Sequence, residues 1–387
     1  MDTVPRTDTF PFTSQRDQAP AELPHPVTLA LQGGGALGAF SWGVLDRLLD
    51  ESRLRIAVVS GASAGAMNAA MLAQGLATGG PAEAKRLLEA FWRRAAVASG
   101  SPDLDDVECL WPFLGLLGVV TDALRHAAVS LPPPRFAPHG PNPLRGVLDG
   151  LFDPSALGQP NAPTLVVSAT RVRTGEARLF WGTEITAEVL LASACLPQIF
   201  PPVEIEGELY WDGGYTANPP LRPVIEAGAP SDVILVPTRP RERPEPPHGA
   251  ADIRERAAEI AFSTAPRLEL RSLAVAQRLV AELPDPPPPG SGLARLRDAR
   301  LHVIGAEDAF RSLPTGSALD ARWAFLRRLR DLGHGAAERW LGEHLADIGY
   351  RPTLNLAEFA PADRGPLPKG GCKSWPRIDP EGHRQLG

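Results

Sequence analysis

The sequence predicts an α/β fold in three layers, α/β/α, with a central and mostly parallel sheet and a helical C-terminal extension. Two observations lead there. Between residues 26 and 238, short apolar runs alternate with segments whose apolar residues recur at helical spacing, the order that builds a parallel sheet with helices on both faces. Beyond residue 250 the pattern is mainly helical.

In chain order, residues 27–32 (VTLALQ) form an apolar run ending in glycines, as a buried parallel strand does. A helix is expected over 37–51, with Leu37, Phe40, Val44, Leu45 and Leu48 on one face. Residues 56–60 (IAVVS) read as a second buried strand, and 64–76 as a helix of small residues able to pack closely on a sheet. Residues 81–98 read as another helix with Pro81 in its first turn. Residues 99–142 are irregular and hold three prolines in a row, Pro132–Pro134. Strands are expected at 164–169, 178–181, 208–211 and 232–237, and a helix at 186–195. Residues 239–250 are rich in proline and charge and read as a linker. A long helix at 252–282, broken near Pro266, is followed by a proline run at 284–290 and one more strand at 300–304. Residues 317–348 are strongly amphipathic, through Trp323, Leu326, Leu329, Leu332 and Trp340. This divides the chain into a disordered tail (1–25), a main α/β domain (26–238), a linker (239–250), a helical extension (251–350) and a polar tail (351–387).

Composition narrows the function. Of 387 residues, 43% are hydrophobic, enough for a sizeable core. A net charge of −6 argues against a nucleic-acid partner, which needs a basic footprint, and leaves room for peripheral contact with a membrane. The three cysteines (Cys109, Cys195, Cys372) are too far apart for a zinc or C-x-x-C motif and fit a reducing compartment. The first 25 residues hold no apolar stretch of signal-peptide length, and the apolar run at 111–120 is too short to span a bilayer. A cytoplasmic protein, peripheral to membranes at most, is expected. No metal and no organic cofactor is called for, and the oligomeric state is not legible.

Three motifs carry chemistry. The strand at 56–60 runs directly into Gly61-Ala62-Ser63-Ala64-Gly65, and a helix follows. A G-x-S-x-G in that context is a nucleophile elbow: a sharp turn lifts the serine hydroxyl above the sheet, and Gly61 and Gly65 leave room for it. The alternative is an ordinary glycine-rich turn with a capping serine. Gly33-Gly34-Gly35-Ala36-Leu37-Gly38 follows the first strand and opens a helix. It reads as a dinucleotide turn, as a plain tight turn, or as an oxyanion hole whose backbone N–H groups face a substrate carbonyl. Against the nucleotide, Asp50 and Glu51 fall at a helix end, where the fingerprint wants an acid closing a second strand. Asp212-Gly213-Gly214 ends a strand and precedes Tyr215-Thr216-Ala217-Asn218-Pro219-Pro220. It fits a turn or a catalytic acid.

The order G-G-G-x-x-G, G-x-S-x-G, D-G-G-x-x-x-N-x-P resembles the patatin-like phospholipase family, as does the stretch Ala192-Ser193-Ala194-Cys195-Leu196-Pro197 with Phe200-Pro201-Pro202. The resemblance covers about residues 27–237. It implies a lipid acyl hydrolase in which Ser63 attacks the ester carbonyl, Asp212 takes its proton without a histidine, and Gly33, Gly34 and Gly35 donate N–H groups to the oxyanion, with Gly38, Gly61, Gly65, Gly213 and Gly214 supporting the motifs. Many members carry Arg or Lys between the third and fourth glycines, where this chain has Leu37, which removes a positive charge from the loop. A free aspartate is a weak base for a serine, so the dyad requires desolvation to raise its basicity. Other readings stay open: a short-chain or intracellular polyester esterase, a triad completed by His248, His302, His334 or His344, and a lipid-binding scaffold without turnover. The amphipathic stretch at 317–348 is expected to be packing surface or a gate over the site. Cys195 reads as a small buried hydrophobe.

Overall fold

The computed structural model describes residues 23–99 and 142–359. The expected features at 99–142 lie outside these residues, apart from their two ends, and so do most of the two expected tails.

The central sheet has eight strands in the order β5-β6-β3-β2-β1-β7-β8, with β4 also on β3. They are β1 (His25–Leu31), β2 (Leu54–Gly61), β3 (Thr164–Arg171), β4 (Ala177–Trp181), β5 (Val203–Ile205), β6 (Glu208–Asp212), β7 (Asp232–Val236) and β8 (Arg300–Val303). β3, β2, β1, β7 and β8 run parallel; β4, β5 and β6 add an antiparallel margin. β1 lies at the heart of the parallel part, and its alternation sorts the layers. Leu29 and Leu31 pack into one apolar cluster, and Ala30 into another on the opposite face.

On the first face lie α1 (Ala39–Leu48) and α2 (Ala64–Ala98). The helix expected over 37–51 is shorter than its pattern, because the glycine loop winds as a 3₁₀ turn over Gly35–Gly38 before α1 begins. α2 bends sharply at Gly80, where φ is 71°, a conformation that no residue inside a helix adopts. Its two arms correspond to the two helices expected there. Short helices α3 (Pro143–Leu148), α4 (Ala187–Ser193) and α5 (Arg222–Glu226) complete the described α-helices before residue 238.

The region beyond residue 238 does not stand apart. α6 (Ala250–Ala281) runs through Pro266 without the expected break, and with α7 (Gly292–Asp298) it covers the second face of the sheet. β8 joins the sheet beside β7. After the short α8 (Glu307–Arg311), α9 (Trp323–His344) packs on α1, with Trp42 and Trp323 stacked at 5.8 Å. Leu326, Leu329 and Trp340 of α9 are buried in the first cluster, so the amphipathic face expected at 317–348 is core. The ends differ from expectation too. His25 already belongs to β1, and its Nε2 donates to Asp232 Oδ2 at 2.9 Å. Residues 351–359 begin where a loose tail was expected, yet Thr353 and Leu354 both donate to the Leu301 carbonyl, and Leu356 is buried.

A buried ionic knot ties these late elements to the sheet. Asp232, at the start of β7, takes Arg300 in a two-point pair at 3.0 and 2.7 Å, bonds His302 at 3.1 Å and accepts from the Gly349 N–H at 3.0 Å. These partners hold its carboxyl far below the usual carboxylate range against the opposing cost of burial.

Candidate active site

β2 ends at Gly61, and α2 starts at Ala64. Between them Ser63 has φ 53° and ψ −128°, a strained conformation for a residue with a side chain. The turn closes tightly: a side chain at Gly65 would meet the Leu31 carbonyl oxygen at 2.1 Å, and one at Gly61 would meet the Gly65 backbone at 2.5 Å. The Ser63 N–H donates to the buried Ser193 Oγ at 3.0 Å, which braces the strained residue from α4. Ser63 therefore sits at the positive end of α2, at the C-terminal edge of the parallel strands, where open α/β sheets carry their sites.

Asp212 closes β6, paired with Ala169 of β3. It is fully buried. Its Oδ1 accepts from the Gly214 N–H at 2.7 Å, and its backbone is fixed by the Cys195 carbonyl at 2.8 Å and the Thr170 hydroxyl at 2.8 Å. Its Oδ2 is buried with no hydrogen-bond partner among the described residues. Burial pushes the carboxyl up to about 7; the neighbouring Ser63 hydroxyl, the Gly214 N–H and the positive charge of Arg239 oppose the rise without cancelling it. Ser63 is thus close enough to act on Asp212 electrostatically, while no hydrogen bond of good geometry yet joins them.

The glycine loop lies beside Ser63. A side chain at Gly33 would meet Ser63 Cβ at 2.7 Å. The Gly33 N–H is already committed, donating to Asn218 Oδ1 at 2.7 Å, and its carbonyl accepts from the Thr238 hydroxyl at 2.9 Å. Gly34 and Gly35 are the loop residues that line the cavity in front of Ser63. Gly35 needs its positive φ of 60° to make the turn. Gly38 packs against Ala64, and its carbonyl accepts from Asn68 Nδ2 at 2.9 Å, while Asn68 Oδ1 accepts from Trp92 Nε1 at 2.9 Å. Gly213 and Gly214 pack tightly against Ser168 and Phe262 just after the acid.

Ser63 opens into a cavity of about 560 Å³, a size that suits a single small or chain-bearing ligand. Its wall is mainly apolar: Leu196 and Ile199 from the loop before β5, Tyr215, Ala261 and Phe262, and Leu319. α6 and the 3₁₀ turn Ser317–Leu319 close over it, so residues beyond 250 do contribute to the site. The polar exceptions include Arg239, Arg254 and Glu255. No cluster of three His, Cys, Asp or Glu suited to a metal ion occurs among the described residues.

A family model for patatin-like phospholipases matches residues 29–225, half of the chain, and spans all three motifs. The chain belongs to the patatin-like phospholipase family. Among solved structures, VipD from Legionella pneumophila overlies 84% of this chain and 68% of its own length, at a TM-score of 0.38 and 16% identity. No match is found among curated protein sequences. The family consists of lipid acyl hydrolases, in keeping with an apolar cavity beside a serine.

In this patatin-like chain none of the described histidines lines the cavity. His302 is locked in the Asp232 knot at the opposite end of the parallel strands, and His344 bonds Asp347 at 3.1 Å. His334 approaches only Asp46, at 4.0 Å, and His248 is exposed. Cys195 donates to the Pro201 carbonyl at 3.1 Å, and burial, helped by Asp212, pushes its thiol up to about 12, as expected of an inert buried cysteine. Leu37 is buried in the core beneath the loop and leaves the glycine loop without a cation. No described helix is long and apolar enough to cross a membrane. Sequence reasoning passed over Asn218, Ser193 and Arg239. Asn218 was legible as the N of the D-G-G-x-x-x-N-x-P motif, and Ser193 lay in the quoted stretch before the acid. Nothing local marked Arg239, which fell at the start of the stretch read as a linker.

Proposed function

We propose that this chain hydrolyses carboxylic esters of lipids through a Ser63–Asp212 dyad and an acyl-enzyme intermediate. The observation that carries the reading is Asp212 itself: a buried carboxyl, raised to about 7, with one oxygen unpartnered, next to a serine held in a strained elbow at the wall of an apolar cavity.

The chemistry follows from these parts. Oγ of Ser63 attacks the ester carbonyl carbon while Asp212 Oδ2 takes the hydroxyl proton. The carbonyl oxygen becomes an oxyanion, and the Gly34 and Gly35 backbone N–H groups, with the positive end of α2, stabilise it. In this assignment Gly33 is the loop's anchor to Asn218 and not a donor. Collapse breaks the bond to the alcohol, which leaves with the proton from Asp212. Water then attacks the acyl carbon on Ser63 while Asp212 takes its proton; collapse breaks the acyl–Oγ bond, the proton passes from Asp212 to Oγ, and the fatty acid departs. Burial makes Asp212 a stronger base than a free aspartate, and the chain needs no histidine for the step.

The test is hydrolysis of a p-nitrophenyl ester and a monoacyl lipid by wild type, Ser63→Ala and Asp212→Asn. Each variant is expected to keep its fold by circular dichroism and to lose at least about 10³-fold in kcat/KM. Turnover that survives Ser63→Ala would end this reading.

A further inference from the structure

Gly33 is held by both of its backbone groups: its carbonyl accepts from the Thr238 hydroxyl at 2.9 Å, and its N–H donates to Asn218 Oδ1 at 2.7 Å. The Gly33 carbonyl and the Gly34 N–H share one planar trans peptide and point to opposite sides of it, so whatever fixes the first aims the second. A glycine has no side chain to restrict its own backbone, and the direction of this peptide depends on those bonds. Asn218 is fully buried, and its amide is held in turn: Nδ2 donates to the Phe262 carbonyl at 3.0 Å. The two partners dictate which way the amide faces, since one is a donor and the other an acceptor. Phe262 lies inside α6, where a carbonyl ordinarily accepts from the N–H four residues on. Four residues on stands Pro266, which has no N–H. The proline thus leaves the Phe262 carbonyl without its helical donor, and Asn218 supplies one from outside the helix. The ring of the same residue lines the cavity and closes on the turn after the acid: a side chain at Gly214 would meet its carbons at 2.3 and 2.4 Å. A proline inside a helix lowers the stability of that helix, and this chain of bonds gives it a use.

We propose that Pro266 is a positioning residue for the oxyanion loop: it frees the Phe262 carbonyl to hold Asn218, and through Asn218 and Gly33 it aims the Gly34 N–H at the ester oxygen. The proposal rests on the acyl-hydrolase reading above and extends its machinery into α6. Pro266 touches no reacting atom and acts only through the Phe262 carbonyl.

The experiment is Pro266→Ala in the full chain, which returns an N–H to the helix in competition with Asn218 for the Phe262 carbonyl. The variant is expected to unfold at or above the wild-type temperature, because alanine suits a helix better than proline. Its kcat on a p-nitrophenyl ester is expected to fall about tenfold, with KM within about twofold of wild type. An alkyl trifluoromethyl ketone, whose adduct on Ser63 carries an oxyanion, should bind about tenfold more weakly, while the alcohol of the same chain, which forms none, binds as before. Asn218→Ala should lose about 10²-fold in kcat, and adding Pro266→Ala to it should cost nothing further, since both act through one carbonyl. A Pro266→Ala enzyme with wild-type kcat and wild-type affinity for the ketone overturns the proposal. So does a loss that comes with a lower Tm and an equally weakened alcohol, which marks a structural fault, or one that adds fully to that of Asn218→Ala. Should Asn218→Ala fail to fold, the ketone-to-alcohol ratio in Pro266→Ala decides alone. A wild type that neither turns over the ester nor forms the ketone adduct sinks the hydrolase reading itself, and is distinguishable from an active enzyme indifferent to Pro266→Ala.

Discussion

A carboxylate that must accept a proton from serine serves best when its own proton affinity approaches the working pH, and Asp212 reaches that condition through burial. The same burial costs stability. The unfolded chain titrates this aspartate near its ordinary value, while the fold does so at about 7. Between those two values the folded state holds the extra proton, so the stability tied to this group is full at low pH and is lost as pH rises through about 7. Asp212→Asn should therefore abolish activity yet raise stability by a few kcal/mol at pH 8, with the gain fading near pH 4. Denaturant unfolding of wild type and variant at the two pH values checks this; a variant less stable than wild type at pH 8 would contradict it. The residues proposed to carry the chemistry were legible because each sits in a dense motif where strand, glycine and polar residue coincide. Their supports were less so. Asn218 holds Gly33 across 185 positions, and Arg239 reaches the cavity from a proline-rich stretch, contacts that no local pattern encodes.

At the scale of elements, the buried strands were readable from their apolar runs, since a parallel strand covered on both faces must be apolar throughout. β5 was missed because three residues at an antiparallel margin, none of them buried, leave no pattern. The role of α9 was the harder inference. An amphipathic face reads the same whether it meets a core, a membrane or a substrate, and only the packing decides. α9 crosses α1 at two glycines: a side chain at Gly43 would meet the Arg330 carbonyl oxygen at 1.8 Å, and one at Gly333 the Phe40 carbonyl oxygen at 2.0 Å. Both obstacles are helix backbone, which cannot rotate away. Gly333→Ala should cost about 1–3 kcal/mol or more by forcing the helices apart. Thermal unfolding would register this as a lower Tm, whereas Gly342→Ala, where a side chain would meet nothing within 4 Å, should unfold at or above the wild-type temperature.

Taken as a whole, the molecule is built around one sheet to which both halves of the chain contribute. The expected division at residue 238 follows a composition change, and proline and charge there mark a surface stretch; yet β8 and the Asp232 knot bind the later helices to the same core. That integration has a functional consequence, because α6 and the turn Ser317–Leu319 supply the far wall of the cavity. The elbow at the end of β2, the acid at the end of β6 and the loop after β1 are brought together by strand order, β6-β3-β2-β1, in which their strands lie side by side. The central claim is that this convergence makes Ser63 a nucleophile under the control of Asp212. Covalent trapping tests it most directly: wild type is treated with an alkyl fluorophosphonate across pH 5–9, and the adduct is located by mass spectrometry. One adduct on Ser63, forming faster as pH rises through about 7 and nearly absent in Asp212→Asn, is the predicted result. An adduct elsewhere, or labelling of Ser63 indifferent to both pH and Asp212, would contradict it.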